Sequence, residues 1–163
     1  MADADAYRAD LLGRFRWIGG HADVLGLFAD GPFLGRTVDA LAGLFADEPV
    51  DLVAGIEARG FALAGAVATR IGAGFVPVRK PGAIHPGPKA VATTDPDWRG
   101  RRLELAVQRH AVQPGVRVLL VDDWAETGSQ AAAALAAIQS CGARWVGTAL
   151  LAVSYTHLRA HET

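Results

Sequence analysis

The chain has 163 residues, 51% of them hydrophobic, and its 16 Lys and Arg stand against 17 Asp and Glu for a net charge of -1. That balance excludes a general nucleic-acid or membrane-surface role, which needs a basic face, so any anionic ligand must be held by a local site. Cys141 is the single cysteine, which excludes an internal disulfide and a cysteine-rich metal site and suits a reducing compartment.

The length fits one domain, enough to bury roughly 68–70% of the unfolded surface. Met1-Ala2-Asp3-Ala4-Asp5 places two acids before any apolar run, unlike a signal peptide. No run of about 18 apolar residues offers a membrane span. A cytoplasmic location follows as the expectation.

Tyr7, Leu11 and Phe15 recur four apart and predict a short amphipathic helix. Trp17 to Asp30 is mixed and reads as a loop. Leu34, Val38, Leu41, Leu44 and Phe45 form a second helical stripe, ended by Pro49. Asp51 to Ala54 is a short buried strand that stops at Gly55. Phe61 to Ile71 is helical and closed by Gly72. Phe75 to Val78 is the next strand, and its Pro77 suits an edge. From Pro81 to Gly100 no periodicity shows; a loop of about twenty residues is uncommon and usually functional. His85 and His110 stand singly and read as structural or solvated.

Leu103, Leu105 and Val107 alternate with polar residues and predict a half-exposed strand. Val116 to Val121 is a nearly continuous apolar strand, Thr127 to Ser140 an Ala-rich helix, and Trp145 to Val153 the last strand. Alternating strands and helices predict an α/β fold with a mostly parallel sheet. Residues 1–153 are read as the domain. Residues 154–163 are polar, extend no core pattern, and are read as a non-native or disordered tail.

The segment Val118-Leu119-Leu120-Val121-Asp122-Asp123-Trp124-Ala125-Glu126-Thr127-Gly128-Ser129-Gln130 carries the chemistry. An apolar strand delivers two adjacent carboxylates, and a hydroxyl- and glycine-containing loop then opens a helix. Ligands of open α/β sheets bind beyond the carboxyl ends of strands, and a helix N-terminus suits a phosphate. Thr127 and Ser129 add hydroxyl donors, and Gly128 permits close approach of the backbone. Paired acids can accept hydrogen bonds from a vicinal diol and can face a hard cation through water. A diol and a phosphate spaced by one loop describe ribose 5-phosphate. A helix cap alone would need only one acid.

This segment resembles the motif of the type I phosphoribosyltransferases that binds phosphoribosyl pyrophosphate (PRPP). The resemblance implies that Asp122 and Asp123 hold the ribose hydroxyls and that Glu126, Thr127, Gly128, Ser129 and Gln130 wrap the 5-phosphate. Purine-type members usually carry Ala where Glu126 stands. A carboxylate about 4 Å from a phosphate costs roughly 4 kcal/mol at an effective dielectric near 20, so Glu126 should point away or pair with a cation.

Two further segments resemble adenine-type members of the family. Gly55-Ile56-Glu57-Ala58-Arg59-Gly60-Phe61 is similar to their pyrophosphate loop, which implies contacts from Ala58 and Arg59 and an unusual peptide geometry. Gly74 to Gly82 is similar nearly residue for residue, assigning Val78 and Arg79 to the base pocket and Lys80 to pyrophosphate, across a dimer interface. The loop from Gly82 to Gly100 is then a hood. In it Asp97 falls where the family has a Glu proposed to exchange a proton with the base, and Trp98 where it has Tyr. Near the N-terminus the likeness weakens: His21 stands close to the aromatic expected to stack on the base, and Trp17 offers another stacking face.

The resemblance spans about Phe15 to Val153. It implies a five-stranded, mostly parallel sheet with a small hood and a homodimer. It also implies transfer of ribose 5-phosphate from PRPP to a purine base, with Arg79 and Asp97 in catalytic roles and Mg²⁺ carried on PRPP near Asp122 and Asp123. Two alternatives stay open: another base, or a PRPP-binding regulator without turnover.

Overall fold

The structure is a computed structural model that describes residues 2–19, 21–82, 84–97 and 99–153, without the side chains of residues 2–4, 21 and 22. Trp98, the side chain of His21 and the tail at 154–163 lie outside the described residues.

Helices α1 (Ala2–Arg14), α2 (Leu25–Ala29) and α3 (Gly31–Gly43) precede the sheet. The side chain of Asp30 caps α3, its Oδ1 accepting the Phe33 N–H at 3.0 Å. Between α1 and α2 lie two short antiparallel strands, β1 (Arg16–Ile18) and β2 (His21–Asp23). The stretch expected as a loop is therefore largely ordered. Three-residue strands and a five-residue helix are too short to leave a period in the sequence.

The central sheet is built from β3 (Leu52–Ile56), β4 (Gly74–Val78), β7 (Arg117–Ala125) and β8 (Arg144–Val153), in the order β4-β3-β7-β8, all parallel. Helix α4 (Arg59–Ile71) links β3 to β4, and α5 (Ser129–Gln139) links β7 to β8. Pro77 sits on the edge strand β4, where its missing N–H costs no ladder bond. Gly72, at φ 72°, closes α4 as the helix-end glycine.

The two helices cover opposite faces. Leu63, Ala64, Val67 and Ala68 of α4 pack on Val53, Leu119 and Val121, together with α3. Ala133, Ala134, Ala137 and Ile138 of α5 pack on Ala54, Val118 and Leu120. Alternation along β7 thus feeds both cores. At the base of the sheet the Arg117 guanidinium grips Asp51 at 2.6 Å and 2.9 Å, locking β3 beside β7.

The hood is an antiparallel ribbon of β5 (Lys89–Thr93) and β6 (Glu104–Gln108). Ala90, Leu105 and Val107 are buried against α5 and the sheet. The parallel sheet has four strands rather than five. The hood meets its edge through one antiparallel bridge, Arg79 with Ala106, with N–H···O distances of 2.8 Å and 3.0 Å.

Candidate active site

Although β3 and β7 are neighbours, the chain leaves β3 for β4 on one side and β7 for β8 on the other. This is a topological switch point, and it opens a crevice beyond the carboxyl ends of the two strands. The turn from Gly55 to Gly60 and the segment from Asp122 to Gln130 rim that crevice.

β7 runs past its apolar core through the twin acids, held by β8 in the register Asp122–Leu150 and Trp124–Ala152. Asp122 and Trp124 line a cavity of about 320 Å³ together with Glu126, Thr127, Gly128, Ser129 and Gln130. Gly128 takes φ 76° immediately before α5, a conformation that favours glycine. Thr127 Oγ1 accepts the Ser129 N–H at 3.3 Å. No side chain caps α5 from Gly128, so its first N–H groups face the loop. Residues 126–130 thus form one wall of the cavity.

The twin acids divide. Asp122 lines the cavity, and its Oδ1 accepts the Asp123 N–H at 2.9 Å. Burial pushes its carboxyl up to about 7; the Asp123 N–H bond opposes this, the Asp123 charge adds to it, and Lys80 opposes it. Asp123 is only 5% exposed and lines no part of the cavity. Arg59 Nε stands 2.7 Å from Asp123 Oδ2 in an ion pair, although Oδ2 accepts no aligned hydrogen bond. Asp122 therefore borders the cavity and Asp123 does not, whereas the sequence reading treated the two acids alike.

The Glu57–Ala58 peptide is cis, which is the unusual geometry expected in this turn. Glu57, to which the sequence assigned no role, organises the neighbouring cations. Its carboxylate accepts the Lys80 N–H at 2.9 Å and the Arg79 guanidinium at 3.1 Å and 3.4 Å. The Lys80 backbone bond, ahead of the Arg79 contact, holds the Glu57 carboxyl below the usual range despite some desolvation. Arg79 also lies 5.8 Å above the Phe61 ring. Arg79 and Lys80 border a second cavity, distinct from that of Asp122. Val78, expected at the base pocket, is a core residue with 0% exposure, so its side chain cannot meet a ligand.

Asp97 and Pro96 reach the wall of the Asp122 cavity from the hood. The Asp97 carboxylate is already engaged. It accepts the Arg101 and Arg99 N–H groups at 2.8 Å and 2.9 Å, and Arg101 Nε at 3.0 Å. These bonds, Arg101 first, hold it below the ordinary carboxylate range. Trp17 is 63% exposed, and its ring packs edge-on to Trp124 at 5.8 Å, with Phe15 5.6 Å from Trp124. The predicted stacking residue therefore reaches the site through Trp124. Strand alternation from Asp122 was the signal that could have found Trp124.

A switch-point crevice with one acid at a strand end and a glycine loop opening a helix defines an α/β protein built to hold a sugar phosphate. The family model for the phosphoribosyl transferase domain matches residues 34–162, and the chain belongs to that family. An adenine phosphoribosyltransferase of Dinoroseobacter shibae is 46% identical over 129 residues, covering 79% of this chain and 70% of the relative. One from Clostridium perfringens is 37% identical over 140 residues, covering 86% and 79%. A crystal structure of adenine phosphoribosyltransferase from Rhodothermus marinus superposes with a TM-score of 0.87 at 28% identity, covering 94% of this chain and 90% of that one.

Proposed function

We propose that this chain is a purine phosphoribosyltransferase of adenine type. The C1–O bond of PRPP breaks, pyrophosphate leaves, a base nitrogen bonds to C1, and that nitrogen loses its proton. The observation that carries the reading is the shared cavity of Asp122 and the loop from Glu126 to Gln130 at the switch point.

Asp122 accepts hydrogen bonds from the ribose hydroxyls. Thr127, Ser129 and the N–H groups entering α5 take the 5-phosphate, with Gly128 giving the backbone its approach. Ala58 and Arg59 meet pyrophosphate from the facing turn. The buried charge of Asp123 holds Arg59 at 2.7 Å in the meantime. Lys80 adds charge from the edge of β4, reaching pyrophosphate across a homodimer interface. Trp124, with Trp17 behind it, gives the base an apolar ring face. Arg79 acts through the hood. Its guanidinium is committed to Glu57 and its backbone to Ala106.

Among the described residues no cluster of three or more His, Cys, Asp or Glu could cage a metal. Of the twin acids only Asp122 borders the cavity, and it suits a hard cation that keeps its waters and arrives on the diphosphate of PRPP, with Asp123 held back by Arg59. Mg²⁺ so carried would neutralise the leaving group. No helix among the described residues is long and apolar enough to cross a membrane. The single cysteine, Cys141, suits the proposed cytoplasmic setting.

A second reading, PRPP capture without turnover, draws on Asp97, whose carboxylate is occupied by its own turn. Pyrophosphate release from PRPP and Mg²⁺ with each common nucleobase tests both. Release with adenine supports transfer. Tight PRPP binding with no release for any base supports capture. Unchanged PRPP affinity in Asp122→Asn/Asp123→Asn overturns the site.

A further inference from the structure

We propose that Arg101 is a further phosphate-binding residue: its guanidinium leaves Asp97 for the 5-phosphate of PRPP and frees one oxygen of the Asp97 carboxylate beside the cavity. The inference rests on the reading of the Asp122 cavity as the ribose 5-phosphate site.

The tip of the hood is a turn built around Asp97. Its N–H donates to the Arg101 carbonyl at 2.8 Å, and its own carbonyl accepts the Gly100 N–H at 2.8 Å. The two side-chain oxygens have different partners. Oδ1 accepts the Arg101 and Arg99 N–H groups at 2.8 Å and 2.9 Å. Oδ2 is held by the Arg101 guanidinium, with Nε at 3.0 Å and Nη2 at 2.9 Å. The backbone bonds therefore keep the turn closed if the guanidinium departs.

Charge gives the guanidinium a reason to move. Asp97 lines the cavity together with Asp122 and Glu126, and among the described residues lining it none is Lys or Arg. Ala58, Arg59 and Lys80, assigned to pyrophosphate, do not line it either. A phosphate beside the 126–130 loop meets N–H groups and hydroxyls, so a cation for it must come from outside the lining. Arg101 stands one carboxylate away. Arg59 is committed to Asp123, and Arg102 donates to the Thr94 carbonyl at 3.2 Å.

The exchange costs little. The Arg101 side chain is 68% exposed, and an ion pair so open to water contributes little. A phosphate offers the same planar fork two oxygens and more negative charge than a carboxylate. Once the guanidinium has moved, Oδ2 is an open acceptor beside the cavity while Oδ1 stays bound to the backbone. Asp97 then becomes able to take the proton of the base nitrogen only after the ribose phosphate has bound. Its occupied state in the ligand-free chain is a resting state.

The test follows the Arg101 Nε–H signal by NMR in the full chain, assigned by its loss in Arg101→Lys. Ribose 5-phosphate is titrated in one arm and inorganic pyrophosphate in the other, both without metal. A saturable shift with ribose 5-phosphate and none with pyrophosphate is expected. Arg101→Gln should weaken ribose 5-phosphate binding by about tenfold or more, the loss of one charge-assisted contact. Arg101→Lys should weaken it less, since it keeps the charge without the fork. Pyrophosphate affinity should stay within about twofold in both, and thermal melts confirm that each variant is folded. A guanidinium that serves only the turn would keep its signal in place and leave ribose 5-phosphate affinity unchanged in Arg101→Gln. Either result overturns the proposal, as does an equal shift with pyrophosphate. Asp122→Asn separates this from failure of the site. If it weakens ribose 5-phosphate binding while Arg101→Gln does not, the cavity reading stands and the proposal falls. If ribose 5-phosphate does not saturate the parent chain, both fall.

Discussion

Asp122 fits into the site because Gly60 has no side chain: a Cβ built on Gly60 would lie 2.5 Å from Asp122 Oδ1 and 3.1 Å from its Cγ. The first glycine of the turn is placed differently. A Cβ on Gly55 would stand 2.5 Å from the Gly60 carbonyl oxygen and 2.7 Å from the Ala64 Cβ. Gly60→Ala meets a side chain that can turn away, so it should displace the carboxylate and raise KM for PRPP by about tenfold or more through misplacement, with little change in the unfolding midpoint. Gly55→Ala meets backbone and helix, and should cost about 1–3 kcal/mol of stability as overpacking does. Steady-state kinetics and urea melts of the two variants separate these outcomes.

Glu57 ties the turn after β3 to the end of β4, holding the Lys80 N–H and the Arg79 guanidinium with one carboxylate. Glu57→Gln keeps an acceptor for Lys80 but removes the charge facing Arg79. It should raise KM for PRPP by about tenfold, the scale of a charged hydrogen bond, and leave KM for the base unchanged. Far-UV circular dichroism should match the parent chain. An equal rise in both KM values would show that Glu57 supports the general fold and not the pyrophosphate side.

The strand and turn chemistry of the site was legible in the sequence because each part is local. Four apolar residues, two acids and Thr-Gly within one run suffice to place a crevice at the end of β7. The division of labour between Asp122 and Asp123 was not legible. It depends on where Arg59 and Gly60 arrive from α4, more than sixty residues away in the chain. Likewise Glu57 looks like one more exposed acid until β4 returns beside β3 in parallel register. Val78 was misassigned because a strand end reads alike whether its side chain faces the crevice or the core. The β1–β2 ribbon and β5 escaped because three to five residues carry too little period against their Gly and Pro neighbours.

Asp122 gives the site a dependence on pH with a definite sign. Its carboxyl is raised from 3.8 to about 7 in the folded chain. Folding therefore favours the protonated form, and the stability this contributes is complete below the unfolded value and lost as pH rises through about 7. Asp122→Asn should be more thermostable than the parent at about pH 8 and indistinguishable from it near about pH 4, since only the parent must ionise a buried group. At the same time an ionised Asp122 is the better acceptor for two ribose hydroxyls. KM for PRPP should fall as pH rises from about 6 to about 8, and that slope should flatten in Asp122→Asn. A parent protein equally stable relative to the variant at both pH values would show that the half-buried Asp122 carboxyl is not desolvated enough to raise its pKa.

Trp124 stands two residues beyond Asp122 on the same strand and lines the same cavity, with Trp17 against its ring at 5.8 Å and Phe15 at 5.6 Å. The three rings are contributed by β7 and by the segment around β1, so this wall of the cavity is braced by contacts that the 126–130 loop does not make. Trp17→Ala removes the outer support of Trp124 while touching no group assigned to PRPP. It should raise KM for the base by about three- to tenfold, the worth of an aromatic pair beyond area burial, and leave KM for PRPP unchanged. Trp124→Leu shortens the wall itself and should alter which bases are accepted as well as how tightly, since a pocket discriminates by the volume it denies. A panel of purine and pyrimidine bases assayed with both variants reads this out. A change in KM for PRPP matching that for the base would place the rings outside the base pocket, as hood or N-terminal packing only.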